Sequence, residues 1–321
     1  MEKNIQKILE FLRAADNYLI TSHMNADGDA YASMLSVAYL FEKWGKQYRI
    51  IIHDQKPDHK YNFMWGFDKI SPFSSDNSVR FEAAVVLDVP SKERMGDPSE
   101  LLPPRDFCVK IDHHPVEKDF AAYNMVNTEI SSTSHLVYEL ISRSDIQIDH
   151  DLANLIFSGI MYDTGRFSFS NTSLRDFQIA SHLLEYSVKP SQIANQLFFN
   201  CSFEAMKTIG YGLANMKSYL DGKLSIIFLP LEVMQKNHHS EIEELSNYSV
   251  AIRGVEVGLF VREVEPNFFK VSFRSKGRIN VNAIAKAFGG GGHMHAAGCR
   301  YEGKFEELIK GLVEEVGKHF E

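Results

Sequence analysis

The sequence predicts a two-domain α/β protein. Three observations carry this: short apolar runs alternate with helix-like segments through the first half, several runs end on an aspartate or histidine, and short strands with a glycine run dominate after about residue 220. Strands alternating with helices imply βαβ units and a mainly parallel sheet. Residues 2–15 space Ile5, Ile8, Leu9 and Leu12 at helical intervals, giving an amphipathic helix, and 17–22 reads as a strand. Ala30 to Trp44 is an apolar-rich helix ended by Gly45, and Tyr48–His53 is a strand followed by a loop containing Pro and Asp. Ala83–Leu87 and Phe107–Ile111 are apolar runs of strand length. Ser131-Ser132-Thr133-Ser134 offers N-cap residues for a helix through Leu136, Val137, Leu140 and Ile141, and Leu152 to Met161 reads as a mostly buried helix. Residues 1–190 thus form the larger domain, a mainly parallel sheet flanked by helices. Residues 191–219 lack strand signals and read as a helical connector. A smaller α/β domain over 220–321 has strands at Leu224–Leu229, Val255–Val261 and Phe268–Phe273, a helix over Val281–Phe288, and a closing helix from about Phe305.

At 321 residues, with 44% hydrophobic and 24% charged content, the chain is a globular protein with room for two domains. Its net charge of −8 argues against a sequence-independent grip on long duplex nucleic acid, which needs a broad basic surface. Cys108, Cys201 and Cys299 are scattered, so neither a disulfide framework nor a thiolate zinc site is expected. No apolar run approaches the ~18 residues of a membrane span, and the N-terminal helix pattern is unlike a signal peptide. The expectation is a reduced, cytoplasmic protein with no membrane partner.

The chemistry lies where the apolar runs end. Tyr18-Leu19-Ile20 leads to His23, Asp27 and Asp29; Ala83–Leu87 leads to Asp88; Phe107–Ile111 leads to Asp112-His113-His114; and Asp163-Thr164-Gly165 follows the Leu152–Met161 helix. An open α/β sheet places its active site in the crevice at the carboxyl ends of its strands. Asp and His suit Mn²⁺, Mg²⁺ or Zn²⁺, and the absence of thiolates leans away from structural zinc. The set exceeds the needs of one ion; two ions roughly 3.5–4 Å apart, bridged by one carboxylate, would use it, and such a pair serves attack on phosphorus. Singly the pieces are weak: an Asp-x-Asp is ordinary turn chemistry, Asp163-Thr164-Gly165 alone is a helix C-cap, and His238-His239 in a polar stretch is surface. Jointly and in this order they define a site. Gly289–Gly292 allows positive φ and successive N–H groups aimed into one anion-binding concavity, with His293 as a further donor; as a bare string it would be a flexible loop.

His23-x-x-x-Asp27-x-Asp29, Asp88, Asp112-His113-His114 and Asp163 resemble the four motifs of the DHH phosphoesterase superfamily, and Gly289-Gly290-Gly291-Gly292-His293-Met294-His295-Ala296-Ala297-Gly298 resembles the hallmark of the DHH-associated domain. Together the two matches cover essentially the whole chain. The combination is most similar to the oligoribonuclease (nano-RNase) branch, which includes enzymes acting on 3′-phosphoadenosine-5′-phosphate and on linear or cyclic di-adenylate. The resemblance implies two divalent ions, by preference Mn²⁺. His23, Asp27 and Asp88 would hold one; Asp29, Asp88, His113 and Asp163 would hold the other, with Asp88 bridging. Asp112 would orient a histidine, and His114 would contact the scissile phosphate or protonate the leaving group. Gly291, Gly292 and His293 would clamp the substrate's terminal phosphate and nucleotide. Arg274-Ser275 resembles the family's substrate-binding pair, Asn282 would touch base or sugar, His295 would be structural, and Arg166 is a further candidate phosphate contact. Ala26 and Ala32 stand where the family usually has Pro and Gly, which implies altered loop stiffness and helix packing without loss of a ligand.

The implied active site lies in the interdomain cleft. The implied activity is metal-dependent release of nucleoside 5′-monophosphates from short oligoribonucleotides or linear dinucleotides, with conversion of 3′-phosphoadenosine-5′-phosphate to AMP. The expected partner is a short RNA or dinucleotide, not long duplex nucleic acid, and a homodimer is left open. The rival readings are a phosphodiesterase dedicated to a signalling dinucleotide, a pyrophosphatase or exopolyphosphatase (disfavoured by the Gly-Gly-Gly-Gly-His loop), a non-catalytic nucleotide-binding regulator, and a processive single-strand exonuclease, which would need added domains and basic surface.

Overall fold

A computed structural model describes residues 2–75, 79–115, 118–234 and 239–320. The chain forms two compact units, Met1–Asn200 and Cys201–Glu321. Among the described residues no helix is long and apolar enough to cross a membrane.

In the first unit the elements run α1 (Glu2–Ala14), β1 (Tyr18–Thr21), α2 (Gly28–Lys43), β2 (Tyr48–Ile52), β3 (Ile70–Pro72), β4 (Ala83–Leu87), β5 (Cys108–Asp112), β6 (Tyr123–Val126), α3 (Thr133–Ile141), α4 (His150–Asp163), α5 (Leu174–Leu184) and α6 (Pro190–Phe198), with 3₁₀ turns between. The six strands form one sheet in the order β3-β2-β1-β4-β5-β6, and every pairing is parallel. β1, β4 and β5 are buried throughout, so apolar residues fill both faces and the runs read as continuous rather than alternating. On one face Tyr18, Ile20, Ile50, Val85, Leu87, Val109 and Ile111 pack into the large core shared with α1 to α6. On the other, Leu19, Ile51, Ala84 and Cys108 meet the smaller cluster around Phe81, Leu101, Leu102 and Phe120.

The order reverses between β1 and β4, the switch point at which a doubly wound sheet opens a crevice. Register keeps the three strand ends level: Thr21 pairs with Val86, and Leu87 with Ile111. His23, Asp88 and Asp112-His113-His114 therefore leave the sheet along one edge.

The second unit contains α7 (Phe203–Ala214), β7 (Lys217–Tyr219), β8 (Leu224–Leu229), α8 (Leu231–Met234), α9 (Leu245–Val250), β9 (Val257–Glu265), β10 (Phe268–Ser275), α10 (Val281–Ala287), β11 (Gly291–Gly292), β12 (Ala296–Glu302) and α11 (Phe305–Gly317). Its six-stranded sheet, β11-β12-β10-β9-β8-β7, is antiparallel except for the parallel β8/β9 pair. Period-two alternation sends Ile226, Leu259, Val271 and Phe273 to the face covered by α10 and α11, and Ile227, Leu229 and Phe260 to the face covered by α7 and α9.

The segment expected as a connector over 191–219 divides between the units. Ile193 and Leu197 of α6 enter the first unit's core, Ala205 and Ile209 of α7 enter a core of the second, and Lys217–Tyr219 is an edge strand. Two amphipathic helices in succession resemble a linker in sequence because each buries only one stripe. β9 begins at Val257, not Val255, and runs on to Glu265, where a turn with Asn267 at φ 60° closes the hairpin to β10. His238 lies outside the described residues.

Candidate metal centre

Strand ends and helix starts position each acidic or imidazole group of the first unit. His23 follows β1 by two residues. Asp27 is the N-cap of α2, its Oδ1 accepting from the N–H groups of Asp29 (3.0 Å) and Ala30 (3.1 Å). Asp88 directly follows β4 with φ 60°, a left-handed backbone that a non-glycine residue holds only at a cost of about 1–3 kcal/mol, and one that clusters at functional sites. Asp112 ends β5, His113 and His114 follow it, and Asp163 ends α4, with Thr164 as C-cap and Gly165 at φ 53°. The Asp-Thr-Gly string is thus both a helix terminus and part of the cluster.

Asp88 is the centre. Its Oδ2 lies 3.4 Å from His23 Nε2, while its Oδ1 lies 3.5 Å from His113 Nε2 and 3.4 Å from His114 Nδ1. His113 Nε2 is also 3.0 Å from Asp163 Oδ2. Three groupings drawn wholly from the first unit present one ligand atom each within 4.8 Å of one another: His23, Asp27 and Asp88; Asp29, Asp88 and His113; and Asp88, Asp112 and His114. Asp88 belongs to all three of these, and its two oxygens face different histidines.

The electrostatics show why such a cluster suits cations. Burial, then the charge of Asp163, pushes Asp27 up to about 6, and the same two causes raise Asp29 well above the usual carboxylate range. Burial opposes ionisation of Asp88 too, but hydrogen bonds with His114 and His23 outweigh it and hold the group well below its ordinary value. Burial works against the charged imidazoles, yet Asp88 and Asp27 lift His23 to about 10, Asp163 and Asp88 lift His113 to about 10, and Asp112 and Asp88 lift His114 to about 9. Buried carboxylates are crowded and need positive charge. The all-O/N donor set, with no thiolate, fits hard to borderline divalent cations, so these residues can hold divalent metal.

Three contributors were not visible as site residues in the sequence. Lys110 is wholly buried within β5, with Nζ 3.1 Å from Asp112 Oδ2 and 3.0 Å from Pro90 O; a lysine inside an apolar run was the available signal. Asp112 Oδ1 in turn lies 2.8 Å from His114 Nδ1. Thr133 Oγ1 donates to Asp88 Oδ1 at 2.8 Å. Asp54 accepts from the N–H groups of Asn25 (3.1 Å) and Ala26 (3.3 Å), and so fixes the loop between His23 and Asp27. A proline at 26 could make no such bond, so Ala26 leaves the loop open to this carboxylate clamp.

The second unit places its candidate residues on β10, α10 and the β11–β12 hairpin. Arg274 Nε donates to Asn247 Oδ1 (3.2 Å) and its Nη1 to Phe273 O (3.1 Å); Ser275 Oγ donates to Ile279 O (2.7 Å) and lies 3.0 Å from His295 Nδ1. Asn282 sits in the first turn of α10 with its Oδ1 buried and lacking a hydrogen-bond partner.

The glycine run corrects one expectation. It does not form a cradle of successive open N–H groups. Gly289 N donates to Lys286 O (3.0 Å), Gly290 N to Ala285 O (2.8 Å) and His293 N to Ala296 O (2.7 Å), while Gly291 and Gly292 pair with β12. Its glycines serve close packing instead: a Cβ on Gly290 would sit 2.1 Å from Gly298 O, and one on Gly292 2.5 Å from Ala296 O. Arg166, at φ 64°, stacks over Phe198 at 4.8 Å.

Each unit matches a known domain. Residues 17–160 match the model of the DHH family, N-terminal domain, and residues 225–318 match the DHHA1 domain. The chain carries a DHH domain followed by a DHHA1 domain. Among curated relatives, the bifunctional oligoribonuclease and PAP phosphatase NrnA of Bacillus subtilis is 28% identical over 300 residues, covering 91% of this chain and 92% of its own. The protein of the same name from Thermus thermophilus is 26% identical, covering 98% and 95%. Among solved structures, an exopolyphosphatase-related protein from Bacteroides fragilis superposes with a TM-score of 0.90 at 28% identity, over 99% of this chain and 97% of that one.

Proposed function

We propose that this protein is a manganese-dependent phosphodiesterase that hydrolyses short oligoribonucleotides and linear dinucleotides to nucleoside 5′-monophosphates, and that also removes the 3′-phosphate of 3′-phosphoadenosine-5′-phosphate. The observation that carries the reading is the division of Asp88 between two histidines, with further carboxylates on each side. Bound divalent ions would supply positive charge at the phosphoryl oxygens and acidify a water for attack. His23, Asp27 and Asp88 are assigned to one ion, and Asp29, Asp88, His113 and Asp163 to the other.

The remaining roles belong to the chain's own side chains. Lys110 neutralises Asp112, and Asp112 holds His114 by Nδ1. His114 then carries on Nε2 the proton that the leaving oxygen takes when its bond to phosphorus breaks. Arg274, Ser275, Asn282, Gly291, Gly292 and His293 are assigned to the substrate's terminal phosphate and nucleotide; for the glycines the role is close backbone approach, since their neighbours' N–H groups are already bonded. An enzyme that grips one end of its substrate gains little from added nucleotides, and a net charge of −8 repels a long polyanion. The names of the relatives from Bacillus subtilis and Thermus thermophilus support both the ribonuclease and the phosphatase activity. We place the protein in the cytoplasm.

The test is hydrolysis, with Mn²⁺, of an end-labelled RNA series from dinucleotide to 24-mer beside 3′-phosphoadenosine-5′-phosphate, with a chelator control. Chelator-sensitive rates that fall steeply with length are expected. Equal rates at all lengths would point to a general exonuclease, and no release from any substrate would overturn the proposal.

A further inference from the structure

The start of α3 carries more polar contacts than a helix needs, and three of them reach the carboxylates assigned to metal. Ser132 is the N-cap and its Oγ accepts from His135 N at 3.1 Å, so capping is already satisfied. The next residue, Thr133, is fully buried. Its N–H donates to Asp29 Oδ2 at 2.6 Å, its hydroxyl donates to Asp88 Oδ1 at 2.8 Å, and Ser134 N donates to Asp29 Oδ1 at 2.9 Å. One residue thus bonds two carboxylates that lie 59 positions apart in sequence.

The segment leading into α3 is itself tied down. Asn171 Nδ2 donates to both Ser131 O and Asp163 O at 3.0 Å. The Ser131 hydroxyl donates to Asp176, whose Oδ1 also lies 2.7 Å from His135 Nδ1. Gly159 of α4 permits the approach, since a Cβ there would lie 1.9 Å from Ser134 Oγ and 2.7 Å from Asp29 Oδ1.

We propose that Thr133 is the positioning residue of the metal-facing carboxylates, fixing Asp88 through its hydroxyl and Asp29 through its N–H. The inference rests on the metal reading above. A neutral O–H donor removes rotational freedom from a carboxylate while leaving its charge for a cation. Partners of this kind around metal ligands are worth about 10–100-fold in metal affinity when removed. If Thr133 were only filling space in the core, valine, nearly its isostere, would serve equally well.

The experiment titrates metal-stripped full-length protein with Mn²⁺ calorimetrically, comparing wild type with Thr133→Val and Thr133→Ser, and reads the half-saturating Mn²⁺ for dinucleotide hydrolysis alongside. Valine should weaken Mn²⁺ binding about 10-fold or more, and serine should keep it within about 3-fold, because the hydroxyl is retained. Thr133→Ala carries the same expectation should the valine protein not fold. Valine and alanine variants that bind Mn²⁺ as tightly as wild type, beside an active wild type, would overturn the proposal and leave the functional reading standing. A wild type that binds Mn²⁺ yet cleaves no short RNA would sink the functional reading, while the variant titrations still decide the role of Thr133. A wild type that takes up no Mn²⁺ would overturn both.

Discussion

The two units use side chains in opposite ways. In the first, His23, Asp27, Asp29, Asp112, His113 and His114 gather around Asp88, with Asp163 beside His113, and their neighbours Lys110, Thr133 and Asp54 hold them in place. In the second, the candidate substrate groups other than Asn282 are already engaged locally: Arg274 with Asn247, Ser275 with Ile279 and His295, and the glycine run with α10 and β12. A charged centre must be preorganised against its own repulsion, whereas a gripping surface can be a well-packed loop whose shape does the recognition. Loss of the first should therefore abolish turnover, and changes in the second should mostly weaken binding.

Asp88→Ala tests the strongest form of that contrast. It should lower kcat/KM on the order of 10³-fold or more, because all three groupings within the first unit lose their shared member; steady-state hydrolysis of a dinucleotide measures it, and near-normal turnover would break the comparison. A matched glycine pair sharpens it. Gly159→Ala presses on Ser134 Oγ at 1.9 Å and on Asp29 Oδ1, whereas Gly290→Ala presses on Gly298 O at 2.1 Å. Each should destabilise its unit by about 1–3 kcal/mol through overpacking. Only Gly159→Ala should weaken Mn²⁺ binding, as read by calorimetry, and only Gly290→Ala should act chiefly on KM. His293→Ala is expected to raise KM about tenfold with kcat within about threefold, the pattern of binding lost equally from ground and transition states.

The smallest effect is one of pH. Burial pushes the Asp176 carboxyl up, but His135, Ser131 and Ser173 outweigh this and hold it at about 2, against 3.8 unperturbed. Its contribution to stability is complete above about pH 4 and is lost as pH falls through 2. Asp176→Asn should flatten that part of the acid-unfolding curve followed by circular dichroism; an unchanged curve would remove Asp176 from the network that anchors α3.

The contrast also explains what the sequence made legible. β1, β4 and β5 are continuous apolar runs because both faces are buried, and each delivers its acid or histidine at its end, so the runs and the groups announce each other. β3, β6 and β7 are edge strands of three or four residues with little buried surface, and nothing in their composition separates them from loops. α5 went unread because its buried residues, Ile179, Ala180 and Leu183 beside a capping Asp176, make only a narrow stripe. Thr133 was legible as helix-start chemistry and nothing more, since its partner Asp88 is 45 residues away. Asp54 likewise acts on a loop 28 or 29 residues earlier. The glycine run was legible as backbone chemistry, but which bonds its N–H groups would make depended on α10 and β12 folding against it.

The most direct test of the account is where metal binds. Crystals grown with Mn²⁺ should give two anomalous-scattering peaks flanking Asp88, one beside His23 and Asp27, the other beside Asp29, His113 and Asp163. A single peak, or peaks remote from Asp88, would contradict the shared-carboxylate centre from which the proposed chemistry is built.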